Sequence, residues 1–176
     1  MDQDTGSPAD QQATVPLRAY LGAQIDLARV IDTLTDLEWL GPAVTGSTER
    51  TDLRRVRADL ELPILDGSTT GPIRKTALID LGIPVVLGDT LVVEVGWQSD
   101  SMAPLFPVFA GHLRLTEASL VIEGRYAPPF GRLGLLIDER ILHFVARRTA
   151  QAFLARLVAR IEGGADTTGT NEISSR

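Results

Sequence analysis

The chain has 176 residues, no cysteine, two histidines and a formal net charge of −6 at neutral pH. This length suits a single domain that can bury a sizeable core without covalent staples. The lack of cysteine excludes disulfides and thiolate chemistry, and two histidines leave little for a zinc site of the usual kind. We therefore expect no metal and no cofactor.

Much of the negative charge lies close to the N-terminus, at Asp2, Asp4 and Asp10, and the rest of the chain is nearly neutral. Nucleic acid is not an expected partner, because binding a phosphate backbone requires a clustered excess of basic residues. No uncharged apolar run approaches the ~20 residues that cross a bilayer. The N-terminus also lacks the basic and apolar regions of a secretory signal. The sequence thus predicts a cytoplasmic protein with no membrane span.

Both ends of the chain have compositions that are typical of disorder. Residues 1–12 and 163–176 are rich in small and polar residues and lack apolar periodicity. We predict a disordered N-terminal tail at 1–12, one domain at 13–162 and a disordered C-terminal tail at 163–176.

The domain begins with a strand pattern and continues with helical spacing. Every second residue from Val15 to Leu21 is aliphatic, which is the period of a half-buried strand. Apolar residues then recur at helical spacing over 24–40. Asp36 is a plausible N-cap inside this stretch, so the pattern predicts two short helices after the first strand.

Five strand-like segments follow, and each has one apolar face and one charged or polar face. Gly88 and Asp89 are expected in or near a turn between two of these segments. The apolar faces of the last three include the aromatic residues Trp97, Phe109 and Tyr126. Antiparallel sheets that are covered on one side alternate in this way, whereas parallel sheets give continuous apolar runs.

Residues 138–161 have the pattern of one long amphipathic helix. Asp138 is a good N-cap, and Gly163 with Gly164 is expected to end the helix. His143 lies off the apolar stripe and is expected at the surface. The stripe recurs at steps of three and four residues: Leu142, Val145, Ala146, Thr149, Phe153, Leu157 and Ile161. A helix of this length can cover a whole sheet.

The stretch "GRYAPPFGRLG", at 124–134, separates the last strand pattern from this helix. Pro128 and Pro129 end strand pairing because neither residue has an N–H to donate. Gly131 and Gly134 permit the backbone angles of a sharp reversal. The stretch therefore predicts a strand-to-helix corner, with Tyr126 at the rim between sheet and helix.

The order of strand, two short helices, strand-rich meander and long C-terminal helix resembles the helix-grip fold of the START-like or SRPBCC superfamily. The resemblance covers roughly residues 13–162, and its most specific part is "YAPPFGRLG" with the helix that follows. It implies an α+β fold in which a curved antiparallel sheet wraps around the C-terminal helix. It also implies a cavity between these layers that holds apolar small molecules. The superfamily shares no catalytic set, so no catalytic residue is implied.

Five residues form the candidate ligand-binding set: Trp97, Phe109, Tyr126, Thr149 and Phe153. The strand aromatics either line a pocket, in which Tyr126 offers its hydroxyl, or simply fill the core. Thr149 either faces a ligand or bonds the carbonyl four residues earlier in its helix.

Two further sets of residues have alternative interpretations. Gly111 and Gly124, on the same face as the aromatics, either leave room for a cavity or mark bulges where the sheet curls. Glu94, His112 and Arg114 have the opposite parity and are expected on a solvated face.

These patterns support three functional hypotheses. The first is a binding or carrier protein for an apolar small molecule that resembles a lipid or a polyketide. The second is an enzyme of the polyketide cyclase or dehydratase type, for which Tyr126 is the one inward titratable candidate. The third is an interaction module that docks another protein through the apolar segment 100–111 or through the sheet edge. Segment 100–111 is either a homodimer contact, a lid over the cavity mouth or a partly buried strand entry.

Overall fold

The computed structural model describes residues 14–44, 52–62, 73–100, 108–127 and 139–163. These ranges contain seven strands and two helices. The strands are β1 (Val15–Gly22), β2 (Leu53–Leu62), β3 (Ile73–Gly82), β4 (Val85–Leu87), β5 (Thr90–Ser99), β6 (Val108–Thr116) and β7 (Ser119–Ala127). The helices are α1 (Leu27–Thr35) and α2 (Glu139–Gly163). This is the predicted α+β class.

All seven strands belong to one antiparallel sheet with the order β1-β7-β6-β5-β3-β2, and β4 pairs with β5 beside β3. The predicted alternation is confirmed, since the odd-numbered residues from Leu91 to Trp97 are buried and their neighbours are not. Gly88 and Asp89 form the predicted turn between β4 and β5, and the φ of +65° at Gly88 favours glycine. One face of the sheet is therefore apolar and needs a cover.

One helix follows β1 in the described part of the chain, and the prediction of two short helices is not confirmed. Asp36 accepts a hydrogen bond from the Glu38 N–H at 3.0 Å, as an N-cap would. The chain then makes a single turn, in which Leu40 N–H donates to the Leu37 carbonyl. Gly41-Pro42 ends this turn because proline cannot continue the hydrogen-bond pattern and restricts the residue before it.

The long helix α2 covers the apolar face of the sheet, and Ala146, Phe153 and Leu157 on its predicted stripe are buried. Its backbone lies closer to β7 and to the edge strands β1 and β2 than to the central strands β3, β5 and β6. It reaches Gly163, where the sequence predicts its end. The predicted corner at 128–138, including the Asp138 cap, lies outside the described residues.

An apolar segment that sequence patterns did not single out extends the sheet at β4. Ile83, Val85, Val86 and Leu87 are between 52% and 62% exposed, although all four are aliphatic. Their side chains therefore lie outside the core.

No helix among the described residues combines the length and the apolar character needed to cross a membrane. The predicted tail at 1–12, residues 164–176 of the C-terminal tail and residues 101–107 of the possible docking segment lie outside the described ranges.

Candidate functional site

Three aromatic residues form a row across the apolar face, near one end of β5, β6 and β7. Trp97 of β5 pairs with Phe109 of β6, which in turn pairs with Tyr126 of β7. Residues at paired positions share a face of the sheet, so the register brings the three side chains together. The Trp97 and Phe109 rings stack with centroids 4.2 Å apart, and all three residues are buried. The predicted inward orientation of this aromatic row is confirmed.

Two of the predicted residues lie on the buried side of helix α2, and one of them contacts the aromatic row. The Phe153 ring lies 6.3 Å from the Trp97 ring, centroid to centroid. Thr149 is also buried, and its hydroxyl donates to the Val145 carbonyl at 2.9 Å. Of the two interpretations of Thr149, the structure places its hydroxyl on its own helix.

Gly111 and Gly124 pair directly with one another beside the aromatic row. A Cβ atom at either position would lie 2.8 Å from Cζ of Phe109 and would also collide with the backbone of the neighbouring strand. The glycines therefore make room for the Phe109 ring and for a close approach of β6 to β7.

The indole N–H of Trp97 is the unusual polar group of this region. The side chain is 2% exposed, and Nε1 has no hydrogen-bond partner among the residues that the structure describes. Buried polar groups in folded proteins are nearly always hydrogen-bonded, because leaving one unpaired costs the free energy of its desolvation. A donor thus lies unpaired between the sheet and α2.

His143 lies at the other end of the aromatic row. Its ring, on the first turns of α2, is 6.2 Å from the ring of Tyr126, centroid to centroid. His143 is exposed, as predicted, whereas Tyr126 is buried. The sequence pattern assigned no role to His143. A signal was available, since His143 is next to Leu142 on the predicted stripe and so lies near the margin of the covered face.

The opposite face of the sheet carries ion pairs. Glu94, His112 and Arg114 lie on this face, as predicted from their parity, and Arg114 pairs with Glu123 at 2.7 Å. The described residues contain no group of three or more His, Asp or Glu side chains that could hold a metal ion.

A second inward region, which sequence reasoning missed, surrounds the C-terminal end of α1. Arg54 of β2 has the same parity as the buried Val56, and its guanidinium donates to the Leu34 carbonyl at 2.6 Å and to the Thr35 carbonyl at 2.9 Å. Burial lowers the pKa of Arg54 from its usual value. Trp39 donates its indole N–H to the Thr33 carbonyl at 2.9 Å. The sequence contained a signal for this region, namely an arginine at a strand position with inward parity.

Helix α2 is joined to the same region by Arg156. Its guanidinium donates to the Trp39 carbonyl at 3.0 Å and lies 5.9 Å from the centroid of the Trp39 ring. We call Trp39, Arg54 and Arg156 the α1 anchor, because they hold α1 to β2 and α2.

The fold and this site define the chain as an α+β protein with a single antiparallel sheet, a C-terminal cover helix and a buried aromatic row. No family model and no curated protein matches the sequence. The crystal structure of TTHA0849 from Thermus thermophilus has a similar fold, with a TM-score of 0.53 and 14% sequence identity. The likeness covers 86% of this chain and 100% of that protein. At this identity it bears on the fold alone.

Proposed function

We propose that this chain has a helix-grip fold of the START-like type and binds an apolar small molecule between its sheet and α2. The order of its elements supports the fold assignment. So does the position of α2, which lies closer to both edge strands than to the central strands, as expected when a sheet curves around a helix.

The observation that carries the proposal is the aromatic row beneath Phe153. Trp97 and Phe109 belong to central strands, from which the backbone of α2 is more distant than it is from the sheet edges. Large rings with a polar atom are typical of ligand sites, since they combine apolar contact with a specific hydrogen bond. Thr149 contributes contact surface in this arrangement, because its hydroxyl already bonds α2.

The first experiment asks what the purified protein carries and whether it binds a neutral apolar dye. Native mass spectrometry of the purified chain should reveal a bound small molecule that solvent extraction releases. The extracted protein should then bind N-phenyl-1-naphthylamine saturably, with an increase in dye fluorescence. No bound mass and no saturable dye binding would overturn the proposal.

Two phenylalanines of α2 locate the site. Phe153→Trp enlarges a buried ring next to Trp97 and should weaken dye binding about tenfold, because the added atoms occupy ligand space. Phe144→Trp makes the same change at a residue that is 43% exposed and should leave binding unchanged. Thermal melting of both variants separates lost binding from lost folding. Equal effects of the two changes would place the dye elsewhere.

A second candidate function is an enzyme of the cyclase or dehydratase type. The observation that favours it is the proximity of the Tyr126 and His143 rings, one buried and one exposed at the margin of α2. A phenol and an imidazole at one end of an apolar site can move a proton on a bound carbonyl compound.

Conversion of a linear poly-β-ketone with loss of water, followed by mass spectrometry, tests this second function. Tyr126→Phe and His143→Gln should each reduce the rate by about 100-fold or more, because this is the low end of what a positioned acid or base contributes. His112→Gln, on the opposite face of the sheet, is the matched control and should leave the rate unchanged. A rate that survives Tyr126→Phe and His143→Gln would refute acid–base catalysis by this pair.

A further inference from the structure

We infer that the indole N–H of Trp97 donates a hydrogen bond to the bound molecule, and that the site therefore selects a neutral apolar molecule with a carbonyl oxygen over a hydrocarbon of the same shape. This inference rests on the proposed function and specifies its ligand class.

The first step is that the N–H of Trp97 is buried and unpaired. Its indole is 2% exposed, and Nε1 has no hydrogen-bond partner in the described part of the chain. A donor in such a place destabilises the fold unless an acceptor meets it. Phenylalanine would fill much of the same space without that cost, so the N–H points to an acceptor that the described part of the fold does not supply.

The second step is that the neighbouring rings do not substitute for an acceptor. Phe109 stacks on the indole with an interplanar angle of 23°, so the N–H, which lies in the indole plane, runs alongside that ring. Phe153 is tilted by only 38° at a centroid distance of 6.3 Å, whereas an N–H directed at a ring face needs the two planes closer to perpendicular.

The third step concerns water. A buried water is held by about three hydrogen bonds on average. The side chains beside Trp97 in its pairing row are Ile79 on one strand and Phe109 on the other, and neither has a polar atom. A ligand oxygen that is carried by an apolar skeleton suits these surroundings better than a water molecule does.

The fourth step is that the ligand is neutral. Two described residues on the sheet face that α2 covers are charged: Arg54, whose guanidinium is hydrogen-bonded to the end of α1, and Lys75, which is exposed. An anionic ligand group beside Trp97 would be buried without a counter-charge, which is strongly unfavourable. A ketone or an ester offers a strong acceptor at no such cost.

The test uses pairs of compounds that share one skeleton: fluorene with 9-fluorenone, and cyclododecane with cyclododecanone. Dissociation constants are measured by displacement of N-phenyl-1-naphthylamine from the wild type and from Trp97→Phe. In the variant, the preference for the ketone should fall about tenfold relative to the wild type, because one buried hydrogen bond is lost. Comparison within each pair cancels the different partition of ketone and hydrocarbon from water. Trp39→Phe is the control and should leave the preference unchanged.

A second measurement does not require that Trp97→Phe folds. In ¹⁵N-labelled Trp39→Phe protein, Trp97 is the remaining tryptophan, so its indole N–H gives a single resonance. This resonance should move downfield on addition of the ketone and not of the hydrocarbon. If the ratio of ketone affinity to hydrocarbon affinity is the same in the wild type and in both variants, and the resonance does not move, this inference is wrong while the proposed function stands. If no compound of either pair binds, the proposed function fails and this inference fails with it.

Discussion

The two tryptophans of the chain differ in the surroundings of their indole N–H groups. The N–H of Trp39 donates to the Thr33 carbonyl at 2.9 Å, and Arg156 lies against its ring. The N–H of Trp97 is more deeply buried and has no such partner in the described residues. In the α1 anchor the indole stabilises the fold. In the aromatic row it carries a cost of desolvation that no hydrogen bond among the described residues offsets.

The four carbonyls at the C-terminal end of α1 all have hydrogen-bond partners. A helix leaves its last four carbonyls without a partner of its own, and each of these in α1 accepts a bond from elsewhere. The donors are Asp36 N–H to Asp32, the Trp39 indole to Thr33, and the two Nη atoms of Arg54 to Leu34 and Thr35. These carbonyls are therefore satisfied, but Nε of Arg54, like Nε1 of Trp97, is buried without a hydrogen-bond partner among the described residues.

The largest effect is expected where the aromatic row is most tightly packed. Gly124→Ala should destabilise the protein by about 3 kcal/mol, because its Cβ would collide with the Ala110 carbonyl and with Phe109. Urea unfolding measures the change. Gly163→Ala is the control, because its Cβ meets nothing within 4 Å, and it should leave the free energy of unfolding nearly unchanged. A Gly124→Ala protein as stable as the wild type would contradict the packing around Phe109.

The next largest effect is expected in the α1 anchor. Arg54→Met should cost about 2 kcal/mol, because it leaves the carbonyls of Leu34 and Thr35 without their donor. The matched control is Arg57→Met, which removes an ion pair to Asp100. Because the Arg57 side chain is half exposed, this change should cost less than about 1 kcal/mol of stability. Chemical denaturation of both variants compares them directly, and equal costs would argue against Arg54 as an anchor.

A smaller effect is expected at the satisfied indole. Trp39→Phe should cost about 1 kcal/mol, since it removes the hydrogen bond to the Thr33 carbonyl from a partly buried site. Tyr20→Phe also removes a polar atom from an aromatic side chain. Because Tyr20 is exposed, the urea midpoint of this variant should equal that of the wild type. If Trp39→Phe matched Tyr20→Phe, the contrast between the two tryptophans would lose its energetic basis.

The smallest effect is expected at Thr149. Thr149→Val should change stability by less than about 1 kcal/mol, because the hydroxyl bonds a carbonyl of its own helix and the shape of the side chain is kept. Dye binding should be unchanged as well. A variant of normal stability that no longer bound the dye would show that this hydroxyl contacts the ligand after all.

Alternation and helical spacing predicted the local features of this site. The inward parity of Trp97, Phe109 and Tyr126 followed from alternation within each strand, and the burial of Phe153 followed from spacing within α2. The second short helix is not confirmed, because the N-cap at Asp36 is followed closely by Gly41-Pro42, which stops the helix after one turn.

The parts of the site that the patterns missed depend on partners far apart in sequence. Arg54 bonds a carbonyl 20 residues away, and Arg156 bonds one 117 residues away. The packing of Phe109 on the Gly111–Gly124 pair, and of His143 against Tyr126, likewise joins separate elements.

The sequence by itself determined which face of each strand and of α2 is buried, because periods of 2 and 3.6 residues are local properties of the backbone. The tertiary structure alone decided which atom each buried polar group meets. Hydrogen bonds have short range and strict geometry, so the bonded indole of Trp39 and the unpaired indole of Trp97 become distinguishable only once the strands and helices have packed.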